Sequence, residues 1–356
     1  MYRLISKILF RFSPERIHNM TMKILRIVSF MPLGNKVLEW LYSFNNPSLE
    51  REIFGLKFKN PVGFAAGFDK NGDYYNTIAA LGFGFMEIGS LTPEPQPGNP
   101  KPRIFRLIQD KAIINRMGIN NKGVKYAVGK LQKCPPKLIL GGNIAKNTTT
   151  PNDDAAKDYE KAFSLLYDYV DYFVINVSCP NVKDLTSLQN IESTAEIIDH
   201  ILELRRYYDD YRPILIKVSP DISTEHLDSL LDLIMISGID GIVATNTTRS
   251  RENLVTYRGT VDDIGNGGLS GAPLFRKSIE MVRHIHAYTK GILPIIGVGG
   301  IMTPSQAKEM LDAGASLIQI YTGYIYNGPG FVKRILKMLS GDGNANNSKT
   351  NSSKIS

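Results

Sequence analysis

The segment PIIGVGG, residues 294–300, followed after a helix-like stretch by LIQIYTG, residues 317–323, decides the fold. Each is a short apolar run that ends in small or hydroxyl residues. The same form appears earlier as PVGFAAG (61–67), FGFMEIGS (83–90), LILGGNI (138–144), YFVINVS (172–178), ILIKVS (214–219) and GIVATNT (241–247). Runs this apolar belong to strands covered on both faces, and alternation with helical segments predicts a parallel sheet. Eight such repeats predict closure into a (β/α)8 TIM barrel. An open doubly wound sheet would carry a GxGxxG turn after its first strand, and none follows residue 67.

Outside the repeats, residues 1–45 read as an N-terminal amphipathic extension. One helix carries Leu4, Ile5, Ile8, Leu9 and Phe12 on a stripe. Ser13-Pro14-Glu15 then starts a second helix, with a serine cap, a proline in the first turn and an acid near the positive end. Its stripe is Ile17, Met20, Ile24, Ile27 and Phe30. Such stripes either pack on the protein's own body or lie in a membrane interface. Two insertions interrupt the barrel: PEPQPGNPKPR (93–103), a stiff surface excursion, and a polar loop over 251–266. The expected units are thus a helical segment 1–45, a barrel 46–340 and a polar, disordered tail 341–356.

The formal net charge is +8. Residues 1–45 hold seven Lys/Arg against two Glu, a net of +5, with no nucleic-acid motif beside them. Two cysteines in 356 residues exclude a disulfide framework and fit a reducing compartment. The five histidines lack metal-ligand spacing, so no metal site is expected. Basic residues interrupt every apolar run of the first 30, unlike a signal peptide. No stretch approaches the ~20 apolar residues of a membrane-spanning helix. The protein is therefore soluble or peripheral; for a membrane-associated enzyme, the lack of an Arg/Ser-rich transit segment would favour the cytoplasmic side of a bacterial inner membrane.

Barrel enzymes build their sites at the C-terminal ends of the strands. Here those ends carry Ala66 to Lys70, Ser90, Asn143, Asn176 to Asn181, Lys217, Thr245 to Thr247, Gly297 to Gly300 and Tyr321 to Gly323. So many small, amide, hydroxyl and lysine groups predict a shared ligand site. Glycine clusters at 267–271, 297–300 and 323 suit a phosphate, or only tight turns. Lys217, inside an apolar strand, is either a Schiff-base residue or a cation that stabilises an electron-accepting ring. Lys70 is a carboxylate clamp or the ion-pair partner of Asp69. Asn115, Asn143, Asn176, Asn181 and Asn246 suit a planar, amide-rich ligand.

These stretches are similar to the dihydroorotate dehydrogenase family, through GFAAGFDKNG, EIGSLTPEPQPGNPKPRIFRL, INRMGINNKG, GGNIAKN, IKVSPD, ATNTT, GGLSGAPL, PIIGVGGI and GASLIQIYTG. The resemblance spans roughly residues 1–338 and is to the membrane-associated, quinone-using class 2. It implies oxidation of (S)-dihydroorotate to orotate in pyrimidine biosynthesis. A base takes the C5 proton, hydride passes from C6 to FMN, and a membrane quinone (ubiquinone or menaquinone) takes the electrons. It assigns FMN to Ala66, Gly67, Ser90, Asn143, Asn176, Lys217, Thr245, Gly271, Gly300, Tyr321 and Thr322. Dihydroorotate falls to Lys70, Asn115, Arg116, Met117, Gly118, Ile119, Asn176, Asn181, Asn246 and Thr247. His18, Arg106 and Tyr321 fall near the quinone head, and the helical segment becomes a membrane-docking tunnel. A monomer is the working expectation.

At one position the chain departs from class 2. Cys179, in NVSCPN (176–181), stands where class 2 carries serine, and the SCPN form resembles the soluble class 1 enzymes. A thiol titrates near 8.5 and is readily lowered, so Cys179 is the expected general base. The alternative readings are a class 1-like enzyme using fumarate or NAD, a flavin-free Schiff-base phosphosugar lyase acting through Lys217, and a non-catalytic membrane-binding barrel.

Overall fold

The computed structural model describes residues 2–177 and 191–341. Cys179 and Asn181 therefore lie outside the described residues, as does the predicted tail beyond Gly341.

Three helices open the chain: α1 (Tyr2–Leu9), α2 (Pro14–Phe30) and α3 (Gly34–Tyr42). The Ser13 hydroxyl accepts from Arg16 N at 3.3 Å and Pro14 opens the first turn of α2, as its sequence predicts. The third helix was not foreseen. It is only nine residues long and has no side-chain cap, Leu33 at its N-cap being left-handed at φ +67°, so no start signal announces it.

A hairpin, β1 (Arg51–Ile53) and β2 (Leu56–Phe58), then covers one end of the barrel, where Phe58 meets Phe85 edge to face at 5.3 Å. The barrel strands are β3 (Val62–Phe64), β4 (Phe85–Leu91), β7 (Ile139–Ile144), β8 (Tyr172–Asn176), β9 (Ile214–Val218), β10 (Gly241–Ala244), β12 (Ile295–Val298) and β13 (Leu317–Ile320). They close in that order, all parallel, with β13 returning to β3. Each of the eight predicted runs supplies one strand. The remaining strands, β5 (Ile104–Leu107), β6 (Ala112–Asn115) and β11 (Gly268–Gly271), form an antiparallel sheet in the order β11-β6-β5.

Side chains alternate between two apolar compartments. Phe85, Tyr172, Val174, Leu215, Val243, Ile296 and Leu317 fill the barrel interior. The other face of each strand packs against the outer helices in the main core, for example Ile214, Ile216 and Ile242. Interior packing is tight enough to demand glycine at 141, where a Cβ would lie 2.4 Å from the Tyr172 ring.

Both insertions depart from their predicted form. Within 251–266, residues Arg258–Ile264 form a helix that buries Val261 against Leu107, Ala112 and Leu269. Its single buried side chain is too little to register as a sequence period. The 93–103 excursion lies on the surface but buries Gln96 and Arg103, which bind it down through hydrogen bonds.

Candidate active site

A cavity of about 450 Å³ runs from the C-terminal strand ends, past the β5-β6-β11 sheet, to the space between α1, α2 and α3. Its far wall is Leu9, Phe10, Ile17, Thr21, Leu25, Leu38 and Tyr42. All the residues assigned to FMN line it except Asn143, which sits behind Ser90. Lys70, Asn115, Met117, Gly118, Ile119, Asn176, Asn246 and Thr247 line it as well, and so do His18, Arg106 and Tyr321. Arg116 does not. Its guanidinium donates to the carbonyls of Ile264 and Asn266 and stacks on Phe105, tying down the 251–266 insertion.

At the strand ends the amides are ordered by one buried carboxylate. Glu87, on β4, faces the barrel interior and is fully buried. Its oxygens accept from Asn143 Nδ2 at 3.1 Å and from Gln319 Nε2. A carboxylate only accepts, so both amides must turn their NH2 groups towards it. Asn143 Oδ1 is then left to accept from the Ser90 hydroxyl. Ser90 Oγ accepts from Asn176 Nδ2 at 2.8 Å, and Asn176 Oδ1 from Asn246 Nδ2 at 3.4 Å. The chain thus has one polarity from Glu87 to the rim. Glu87 and Gln319 were absent from the expected site, although each is a polar residue inside an apolar strand sequence, which was the available signal.

The cations are placed differently. Lys217 is 6 % exposed and lines the cavity from β9, and no described residue pairs with its ammonium group. A buried lysine facing a cavity suits an anion or an electron-rich ring atom there. Lys70 Nζ donates to Gly67 O at 2.6 Å and lies 3.4 Å from Met117 Sδ. Asp69 is not its ion-pair partner. Both Asp69 oxygens accept backbone N–H groups, of Asp73 at 2.8 Å and Tyr74 at 2.6 Å. Burial nevertheless pushes the Asp69 carboxyl up to about 6.

Near the helices, burial and then the Lys70 charge push His18 down to about 4, so its imidazole is neutral at pH 7. Its ring meets Phe68 edge to face at 5.1 Å. Arg106 donates to Phe12 O at 2.9 Å and lies over the Phe10 ring, joining β5 to the α1–α2 corner. Burial pushes Tyr321 up to about 12, and its hydroxyl reaches Gly67 O at 3.4 Å.

The late glycines meet at one end of the cavity, where Gly271, Gly299, Gly300 and Gly323 join Ser270 and Thr322. The two hydroxyls bond at 2.8 Å. Gly300 has φ +71°, and a Cβ there would lie 2.3 Å from Phe275 N, the first residue of the helix Phe275–Tyr288. Backbone exposed in this way fits a phosphate group. Together with Lys217 and the amide chain, the donors fit a planar heterocycle joined to a phosphate.

The sequence model of dihydroorotate dehydrogenase matches residues 48–341. The chain is 47% identical over 336 residues to the dihydroorotate dehydrogenase (quinone) of Christiangramia forsetii, covering 94% of this chain and 97% of that protein. Its identity to the protein of the same name from Coxiella burnetii is 42% over 344 residues, covering 96% and 97%. Among solved structures, DHODH from Eimeria tenella in complex with ferulenol superposes with a TM-score of 0.83 at 34% identity, over 93% of this chain and 92% of that one.

Proposed function

The chain belongs to the dihydroorotate dehydrogenase family, and we propose that its single long cavity serves FMN, dihydroorotate and a membrane quinone in series. Its reaction is the oxidation of dihydroorotate to orotate in pyrimidine biosynthesis, with a quinone as electron acceptor. The curated relatives therefore favour the quinone over fumarate or NAD, and exclude the lyase and the non-catalytic barrel. The observation that carries the proposal is the continuity of the cavity from the amide-rich strand ends to the apolar helices.

FMN, when bound, supplies a two-electron acceptor that exchanges with substrate and quinone in turn. Gly271, Gly300 and Thr322 would hold its phosphate. Ala66, Gly67, Ser90, Asn143, Asn176, Lys217, Thr245 and Tyr321 would hold the ring system. Lys217 would offer its buried ammonium group to the negative charge of a reduced ring system. Lys70 binds the substrate carboxylate. Asn115, Asn176, Asn181, Asn246 and Thr247 read the ring amides, and Met117, Gly118 and Ile119 lie beside them on the cavity wall. Cys179 removes the C5 proton, its thiol being a stronger acid than serine.

His18, Arg106 and Tyr321 meet the quinone head. The segment 1–45 is the docking unit on the barrel 46–340. Its helices expose Leu4, Ile8, Ile24, Ile27, Phe30 and Trp40, the last 79 % exposed, beside a net charge of +5. An uncovered apolar face rimmed with Lys/Arg suits a lipid interface, here the cytoplasmic side of a bacterial inner membrane. No described helix is long and apolar enough to cross a membrane. Acid precipitation of the purified protein tests the cofactor. Release of about one FMN per chain is expected, and release of FAD or of no flavin overturns the reading.

A further inference from the structure

We infer that Glu15 and Arg103 form a latch that seats α2 on the barrel, and that the proline-rich excursion 93–103 is the strap joining the helices to the substrate strip. The inference rests on the proposed quinone route through the helical segment.

Arg103 is 7 % exposed, and its guanidinium is divided between its own excursion and Glu15. Nη1 donates to Pro97 O at 2.8 Å and Asn99 O at 3.0 Å, which folds the excursion on itself. Nε and Nη2 donate to Glu15 Oε1 at 3.3 and 2.9 Å. Glu15 is one helical turn before His18, so the contact fixes the part of α2 that lines the cavity. Lys101 adds a second, exposed partner at 3.3 Å. Burial alone would raise the Glu15 carboxyl, but the hydrogen bonds from Arg103 and Lys101 outweigh it and the net shift is downward.

The same excursion holds the substrate strip. Asn99 N donates to Met117 O at 3.0 Å and Asn99 Nδ2 to Arg116 O at 2.9 Å. Gln96 Nε2 donates to Ile119 O at 3.0 Å, and Arg116 N to Arg103 O at 2.9 Å. Glu15 thus meets the strap only through the side chains of Arg103 and the exposed Lys101, whereas Arg103 also holds the Pro97 and Asn99 carbonyls that shape the strap. That asymmetry predicts different losses for the two residues. A charge-assisted hydrogen bond lost from a buried partner weakens an equilibrium roughly tenfold to hundredfold.

The test uses full-length, flavin-loaded protein. Bleaching by dihydroorotate reports the first half-reaction, and turnover with decylubiquinone in detergent micelles reports the second. Glu15→Ala should bleach like the wild type but lose at least about tenfold in kcat/KM for the quinone, chiefly through KM. Glu15→Gln, which keeps an oxygen facing the guanidinium, should recover part of the loss. Arg103→Met should weaken both dihydroorotate binding and quinone use, and the double variant should use quinone no worse than Arg103→Met alone. Amide hydrogen exchange across α2 should speed up in Glu15→Ala, a readout that needs no quinone and no Arg103 variant. Unchanged exchange in α2, unchanged quinone kcat/KM, or equal loss in both half-reactions overturns the latch. A wild-type protein that bleaches but never passes electrons to the quinone overturns the proposed function instead, and the exchange result still decides the latch.

Discussion

Glu87 shows how much one side chain arranges. A fully buried carboxylate is costly unless its oxygens are satisfied, and here two amides satisfy it. Glu87→Leu would leave the NH2 groups of Asn143 and Gln319 without an acceptor, at about 1–3 kcal/mol each. Urea unfolding should therefore show a loss of roughly 2–6 kcal/mol, and a loss under about 0.5 kcal/mol, the scale of a surface substitution, would refute the ordering role. The acid was legible inside FGFMEIGS. Its pairing was not, because Gln319 lies 232 residues away and only barrel closure brings them together. Cys179 carries the proposal's base. Cys179→Ser should retain some activity with its pH optimum moved upward, since a hydroxyl needs a higher pH to give up its proton. An unchanged pH profile would assign the proton to another group.

The helices of the N-terminal segment work through their two faces. Leu9, Ile17 and Leu38 face the cavity, while Ile8, Ile24 and Trp40 face outward. The stripes of α1 and α2 could be read from spacing, and most of their residues are exposed in the folded protein. What spacing could not give was the inner face, which includes His18 and Thr21, polar residues that a hydrophobic period skips. His18 also gives this element a pH signature. Its folded-state value of about 4 lies below the 6.5 of a free imidazole, so the unfolded chain binds more protons between those values. Stability from this residue is present above pH 6.5 and is lost as pH falls towards 4. Asp69, raised to about 6 by burial, acts with the opposite sign but is common to the wild type and a His18→Gln variant. The wild-type melting temperature should therefore fall relative to that of His18→Gln between pH 6.5 and 4, and parallel curves would contradict a buried neutral imidazole. Deleting residues 1–40 should abolish quinone reduction and spare bleaching by dihydroorotate. Retained quinone turnover would place the acceptor elsewhere.

For the whole molecule, eight apolar runs sufficed to specify a closed barrel, because each strand is buried on both faces and its sequence records that burial. The strand-end residues followed from the barrel geometry. The strap did not, since its sequence shows proline and glycine but not that Gln96 and Arg103 turn inward. The proposed docking on lipid would be a property of the assembled surface. Vesicles with about 30% anionic lipid should bring the protein up in a flotation gradient, with less flotation at high salt because the basic rim is screened. Equal flotation with neutral lipid at any salt would remove the role of the charge. The central claim is that one cavity joins dihydroorotate oxidation to quinone reduction. Anaerobic mixing with dihydroorotate, followed by a short-chain quinone, tests it through the visible spectrum. The account predicts a yellow protein that bleaches with substrate and recovers its colour with quinone. A protein that stays coloured with dihydroorotate, or that bleaches and recovers only with fumarate or NAD, would contradict it.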